Sequence, residues 1–222
     1  MFIHKVIHLD RSTDRLQAVN DINQKLLSFS NELNIDSYEI SNDEQLNSFY
    51  SDYPEFNINR GKGFKYTEVG VWASNYSAWV KFLETDAEYL IIFEDDVSIY
   101  YDFSKRIQEA IGEMPKDWDA LFFLTPEGNQ RYYYKAEEHD IGLPNICRSY
   151  QGNWLGGYML NRKGAEKLIE DLKMNMICDP IDIYIFYVQK VLNSYNFKPS
   201  VPNFGEDLNL PTTIHNSKRI GE

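Results

Sequence analysis

Three consecutive carboxylates, Glu94, Asp95 and Asp96, follow directly on the apolar run Tyr89-Leu90-Ile91-Ile92-Phe93. If the chain stays extended there, the period of two sends Glu94 and Asp96 to one side and Asp95 to the other, so neighbouring charges need not collide. Such oxygens suit a hard divalent cation, Mg2+ or Mn2+, which takes one or two carboxylates and completes its shell with water and substrate phosphate. A solvated acidic turn after a core strand has the same pattern, and the residues alone leave both readings open. Four further groups have side chains fit for chemistry. Asp10-Arg11-Ser12-Thr13-Asp14-Arg15 offers Arg11 and Arg15 to a phosphate or a base, and Asp10 to a ribose or base. A salt-bridged helix start is the plainer reading of that turn. Glu68 opens a helical pattern, where the helix dipole favours a carboxylate and a neighbouring cleft could use it. Asp182 follows Asp179-Pro180 in a first helical turn, able to stabilise the helix or to act as a base. His215 stands alone near the C-terminus, where a histidine is as a rule a surface residue.

These groups need a scaffold, and the chain reads as alternating strands and helices. Residues 2–9 predict a first strand. Leu16, Val19, Ile22, Leu26 and Phe29 then recur at helical spacing behind Ser12 or Thr13 as a cap. Residues 35–40 predict a second strand, and 41–66, polar and aperiodic, a mobile loop over a site. Thr67 opens a helix with an aromatic stripe through Trp72, Tyr76 and Trp79, read as core-facing. The run 89–93 predicts a strand buried on both faces. A helix from Phe103 stops at Pro115, and 120–124 form another buried strand. The glycines of Gly152-Asn153-Trp154-Leu155-Gly156-Gly157 admit either close ligand approach or an unusual turn. Asn161 caps a helix whose Leu168, Ile169 and Leu172 face inward, and 203–222 form an irregular tail.

Length and charge bound the rest. The 222 residues, 43% hydrophobic, support one domain over 1–222. No apolar run approaches the roughly 20 residues of a membrane-spanning helix, and the N-terminus lacks a signal-peptide pattern, so the expected compartment is the cytoplasm, with peripheral membrane contact still open. A net charge of −12 disfavours nucleic acid and requires any anionic substrate to find its own positive site. Cys147 and Cys178 form no metal-binding doublet and read as free thiols. Nothing in the sequence marks an oligomeric state.

In order along the chain, five stretches resemble glycosyltransferase family 25, which includes lipooligosaccharide galactosyltransferases and collagen-modifying glycosyltransferases. They are His8-Leu9-Asp10-Arg11 with Asp14-Arg15; Thr67 to Asn75; Ile92-Phe93-Glu94-Asp95-Asp96-Val97; Gly157 to Ala165; and Pro180-Ile181-Asp182-Ile183. The resemblance implies a GT-A type fold, α/β, with a Rossmann-like mixed, mostly parallel sheet and helices on both faces. It implies transfer of a hexose, galactose or glucose, from a UDP-sugar to a saccharide or other hydroxyl acceptor, with inversion and with Mn2+ or Mg2+. On this reading Glu94 and Asp96 hold the metal, with His215 added by analogy. Asp10, Arg11 and Arg15 serve the nucleotide and Asn153 the sugar or acceptor. Asp182 is the leading general base and Glu68 the runner-up. Two departures matter: Gly70-Val71 and Ser74-Asn75 stand where the family tends to have Gly-Cys and Ser-His, so no essential role for that cysteine or histidine carries over. The rival readings are a non-catalytic carbohydrate-binding relative and a metal-dependent phosphohydrolase.

Overall fold

The computed structural model describes residues 1–123, 138–149, 155–188, 191–198 and 218–220. Its centre is the strand that carries the acids. Strands β1 (Phe2–Ile7), β2 (Ser30–Glu32), β3 (Tyr89–Glu94), β4 (Ala120–Phe122), β5 (Ile146–Arg148), β6 (Gly157–Asn161) and β7 (Ser194–Phe197) form one sheet, in the order β2-β1-β3-β6-β4-β7-β5. Pairing is parallel for β1 with β2 and β3 and for β4 with β7, and antiparallel where β6 meets β3 and β4 and where β5 meets β7. Five strands therefore run one way, and only β5 and β6 oppose them. This is the expected mixed, mostly parallel α/β sheet.

Leu90 to Phe93 are fully buried because helices cover both faces. Leu90 and Ile92 pack with Trp72 and Trp79 of α3 (Tyr66–Leu83) and with Leu168 and Leu172 of the helix Arg162–Met174. Ile91 and Phe93 join Ile22 and Leu26 of α1 (Leu16–Leu26), and Phe103 and Ile107 of the helix Phe103–Glu113. Each such side chain contributes about 1.5–3 kcal/mol on burial, so this strand tolerates polarity only at its ends. In chain order the remaining helices are α2 (Asp43–Asp52), α4 (Phe103–Glu113), α5 (Arg162–Met174) and α6 (Ile181–Val188). Asn161 caps α5 as expected, its Oδ1 accepting from Gly164 N at 2.8 Å. Gly157 serves packing rather than a ligand: a Cβ there would lie 2.5 Å from the Phe93 ring, which occupies the space beside the strand.

Several expectations are corrected. The second strand is Ser30–Glu32, and 35–40 has no regular structure. Its apolar residues instead lie along α3, where Tyr38 N donates to Ser74 Oγ at 2.8 Å. Gly70 permits this contact, since a Cβ would sit 2.8 Å from Tyr38 O. The segment 41–66 is not a mobile loop but carries α2, capped by Asn42, whose Oδ1 accepts from Gln45 N at 3.0 Å. Leu46, Phe49, Tyr53, Phe56, Ile58 and Phe64 bury it, with Phe49 stacked on Tyr53 at 4.7 Å. Of the tail, residues 218–220 are described. Tyr66 N donates to Lys218 O at 3.1 Å and Ile220 N to Phe64 O at 2.8 Å, which ties residues 218–220 to the start of α3. That helix begins at Tyr66, with Lys65 rather than Thr67 at its boundary. Ser12 makes no side-chain cap; a 3-10 turn, Thr13–Arg15, leads into α1.

One buried histidine makes the fold pH-sensitive. His4, on β1, is fully buried with Nδ1 3.0 Å from Ser30 Oγ, and burial lowers its pKa to about 4. A base whose folded pKa is depressed contributes stability above its unfolded pKa and loses it as pH falls through the folded value. Between about pH 6.5 and pH 4 the wild type should lose about 3 kcal/mol more unfolding free energy than His4→Gln. Urea titrations of both proteins across that window check the difference, and parallel pH profiles would contradict it.

Candidate active site

The parallel pairing of β1 with β3 sets Ile7 beside Glu94, so both chain exits open on the same sheet edge. In open α/β sheets the crevice outside the carboxyl ends of the strands is where ligands bind. From β1 come His8 and the turn leading to Arg15, and from β3 come Asp95 and Asp96.

The three acids part company here. Asp95 turns to the α1 side, where Arg15 Nη1 donates to its Oδ1 and His8 Nδ1 lies 2.8 Å from its Oδ2. All three side chains are about nine-tenths buried or more. The 3-10 turn makes this contact by directing Arg15 inward instead of leaving it on the helix surface. Burial works against the Arg15 charge, but Asp95, Asp96 and Asp14 hold its pKa above the ordinary value. Asp96 meets the same guanidinium more loosely, Oδ2 at 3.5 Å from Nη1, and keeps 27% of its side chain exposed.

Glu94 continues the alternation of Leu90 and Ile92 to the α3 side. Burial first, then the charges of Asp96, Asp95 and Asp182, push its pKa up to about 8, with Arg15 opposing. Asp182, in the first turn of α6, is raised by burial; the backbone N–H groups of Ile183 and of Asp182 itself oppose that rise, and Glu68 adds to it. Glu68 also closes the start of α3, its Oε2 accepting from Lys65 N at 2.8 Å. Five carboxylates from β3, its exit, α3 and α6 thus share one electrostatic neighbourhood, and Arg15 beside them is already engaged by Asp95.

Of the other residues singled out from sequence, Arg11 is exposed and pairs with Glu39 at 3.2 Å, and Asp10 is exposed. Asn153 and His215 lie outside the described residues. Among the described residues no group of three or more His, Cys, Asp or Glu side chains is arranged to hold a metal ion. Glu94 and Asp96 do fit a hard cation by donor type, because it needs only one or two carboxylates when a phosphate completes the shell. Burial is the main cause of the raised Glu94 pKa, and the repulsion from Asp96, Asp95 and Asp182 that adds to it is what a cation would relieve.

Sequence reasoning missed the parts played by His8 and Asp95. The period of two separated Asp95 from Glu94, but the strand ends at Glu94, so Asp96 does not alternate back and meets the same guanidinium as Asp95; what Asp95 itself meets depends on the turn before α1. Asn75, at one departure from the family pattern, is a buried structural link. Tyr158 Oη donates to its Oδ1 at 2.6 Å and accepts from Trp79 Nε1 at 2.8 Å, joining α3 to β6. Cys147 and Cys178 are free thiols, as expected. A cleft of about 770 Å3 lined by Tyr50, Phe56, Arg60, Lys173 and Met176 contains none of the acids. No helix among the described residues is long and apolar enough to cross a membrane.

Comparison with known proteins adds the following. The model of glycosyltransferase family 25 (LPS biosynthesis protein) matches residues 2–185. A human procollagen galactosyltransferase 2 is 25% identical over 141 residues, 62% of this chain and 21% of that protein. A glycosyltransferase 25 family member of Aedes aegypti is 26% identical over 120 residues, 53% of this chain and 19% of that one. A Bos taurus protein named probable inactive glycosyltransferase 25 family member 3 is 26% identical over 121 residues, 53% of this chain and 20% of its own length. The matched stretch thus spans about a fifth of each of these curated relatives. Among solved structures, a Drosophila galactosyltransferase in complex with manganese, UDP-Gal and xylobiose aligns with 100% of this chain and 70% of its own, at 12% identity and a TM-score of 0.35, a likeness too loose to bear on site or substrate.

Proposed function

This chain belongs to glycosyltransferase family 25, and we propose that it moves a hexose, galactose or glucose, from a UDP-sugar to a saccharide hydroxyl with inversion, using Mn2+ or Mg2+. The observation that carries the reading is the crowding of Glu94, Asp95, Asp96 and Asp182 at the strand edge against one guanidinium that is already paired. A diphosphate brought to such an edge meets repulsion unless a divalent cation comes with it.

Glu94 and Asp96 would hold that cation. When bound, it neutralises charge on the departing diphosphate. Asp182 takes the proton from the acceptor hydroxyl. Burial and the nearby Glu68 make its carboxylate more basic than a free aspartate, which suits a general base. Asp95 stays out of the chemistry and fixes Arg15 and His8 at the end of β1. Asp10 and Arg11 face solvent beside that strand end, where they can meet the nucleotide. By the family resemblance Asn153 would serve the sugar or acceptor and His215 would add a metal ligand; both lie outside the described residues. The acceptor is a saccharide or another hydroxyl, and the LPS biosynthesis in the family's description favours one of the lipooligosaccharide kind.

Purified protein with Mn2+, a panel of nucleotide sugars and free saccharide acceptors tests the reading through nucleotide release. UDP should be released from UDP-galactose or UDP-glucose and not from GDP- or CMP-sugars. Silence with every donor would sink it. Tight donor binding with no turnover would favour the non-catalytic reading, which the name of the Bos taurus relative keeps in view.

A further inference from the structure

His8 is the first residue beyond β1, and its backbone N–H donates to Ser37 Oγ at 3.0 Å, which fixes the strand end against the segment after β2. Its ring sits 2.8 Å from Asp95 through Nδ1, with a tenth of the side chain exposed. Arg15 donates to the other oxygen of Asp95, and the imidazole tautomer that gives its Nδ1–H to this carboxylate is the one that presents Nε2 as an acceptor. Nε2 is left with a lone pair. That atom is buried and, among the described residues, has no hydrogen-bond partner. A buried acceptor left unmet is unfavourable, and native structures rarely leave one without cause.

We infer that His8 Nε2 accepts a hydrogen bond from the nucleoside part of the bound donor. The inference rests on the sugar-nucleotide reading above. A phosphate offers only acceptors and would repel the lone pair, whereas a ribose hydroxyl or the N3–H of uracil supplies the missing proton. Asp95 acts through His8 as a positioning residue, holding the tautomer in which Nε2 can accept. The acidic exit of β3 then has two uses: Asp96 and Glu94 on the diphosphate side, and Asp95 behind His8 on the nucleoside side.

The chain has four histidines, so ring nitrogens are readily resolved by 15N NMR. With Mg2+ present, UDP should shift the His8 Nε2 resonance from its unprotonated position, and inorganic pyrophosphate should not. His4, enclosed between Ser30 and α1, is the internal control and should stay still. By calorimetry His8→Ala should bind UDP about tenfold more weakly with pyrophosphate affinity unchanged. Retained CDP binding in that variant would assign the contact to uracil N3–H, and equal loss of CDP and UDP to the ribose. UDP bound by the wild type with no change at His8 Nε2 would overturn the inference alone, and that outcome is read without any variant having to fold. A wild type that binds no nucleotide would overturn the sugar-nucleotide reading and the inference with it.

Discussion

Replacing Asp96 by asparagine should lower sugar transfer by at least about a hundredfold and remove metal-dependent donor binding, while thermal unfolding stays within a few degrees of wild type. Asparagine keeps the shape and an acceptor oxygen for the loose contact with Arg15, so the fold loses little. The site, however, loses one of the two carboxylates able to hold a cation. Asp95→Asn, one residue earlier, should act first on stability. Its carboxylate is buried between Arg15 and His8, and the interior guanidinium would lose its closest carboxylate, at up to about 3–5 kcal/mol. Melting curves and transfer rates of the two variants, measured side by side, check the pair. Equal loss of activity with equal loss of stability would show that the exit of β3 is a single structural cluster with no separate metal end.

The second large effect falls on Asp182. Converting it to asparagine should reduce kcat by about 10²–10⁴-fold while UDP binding stays near wild type, because a general base acts on the acceptor and not on the nucleotide. Glu68→Gln separates the two base candidates. Glu68 already spends an oxygen on the backbone N–H of Lys65, so its loss should cost about 1 kcal/mol of stability and little rate. Steady-state rates with acceptor saturating decide between them. A Glu68→Gln enzyme slower than Asp182→Asn would exchange their roles.

Much of the fold is legible in the sequence, and the reasons are local. The run 89–93 announces a doubly covered strand because a continuous apolar stretch has nowhere else to go, and the turn at Asn161 announces α5 because its side chain caps it. The acids at 94–96 are legible as a candidate site, and the period of two correctly separates Asp95 from Glu94. Other features depend on contacts distant in sequence. Tyr38 and Ile40 sit in a run that reads as a strand, yet the space beside Gly70 draws them onto α3. Helix α2 hides in polar sequence because its buried residues, Leu46 and Phe49, are few and flanked by Asn, Asp and Ser. Arg15 and Arg11 look alike as sequence, but the 3-10 turn buries one against Asp95 and leaves the other on the surface with Glu39.

The proposed function requires the acidic edge of β3 to bind a diphosphate only together with a divalent cation. The direct measurement is calorimetric titration of UDP into the whole protein, with Mn2+ and again with the metal removed by EDTA. Binding with Mn2+ at least about a hundredfold tighter than without it, lost in Asp96→Asn, is the expected result. UDP bound equally well in EDTA, or bound in neither, would contradict the account.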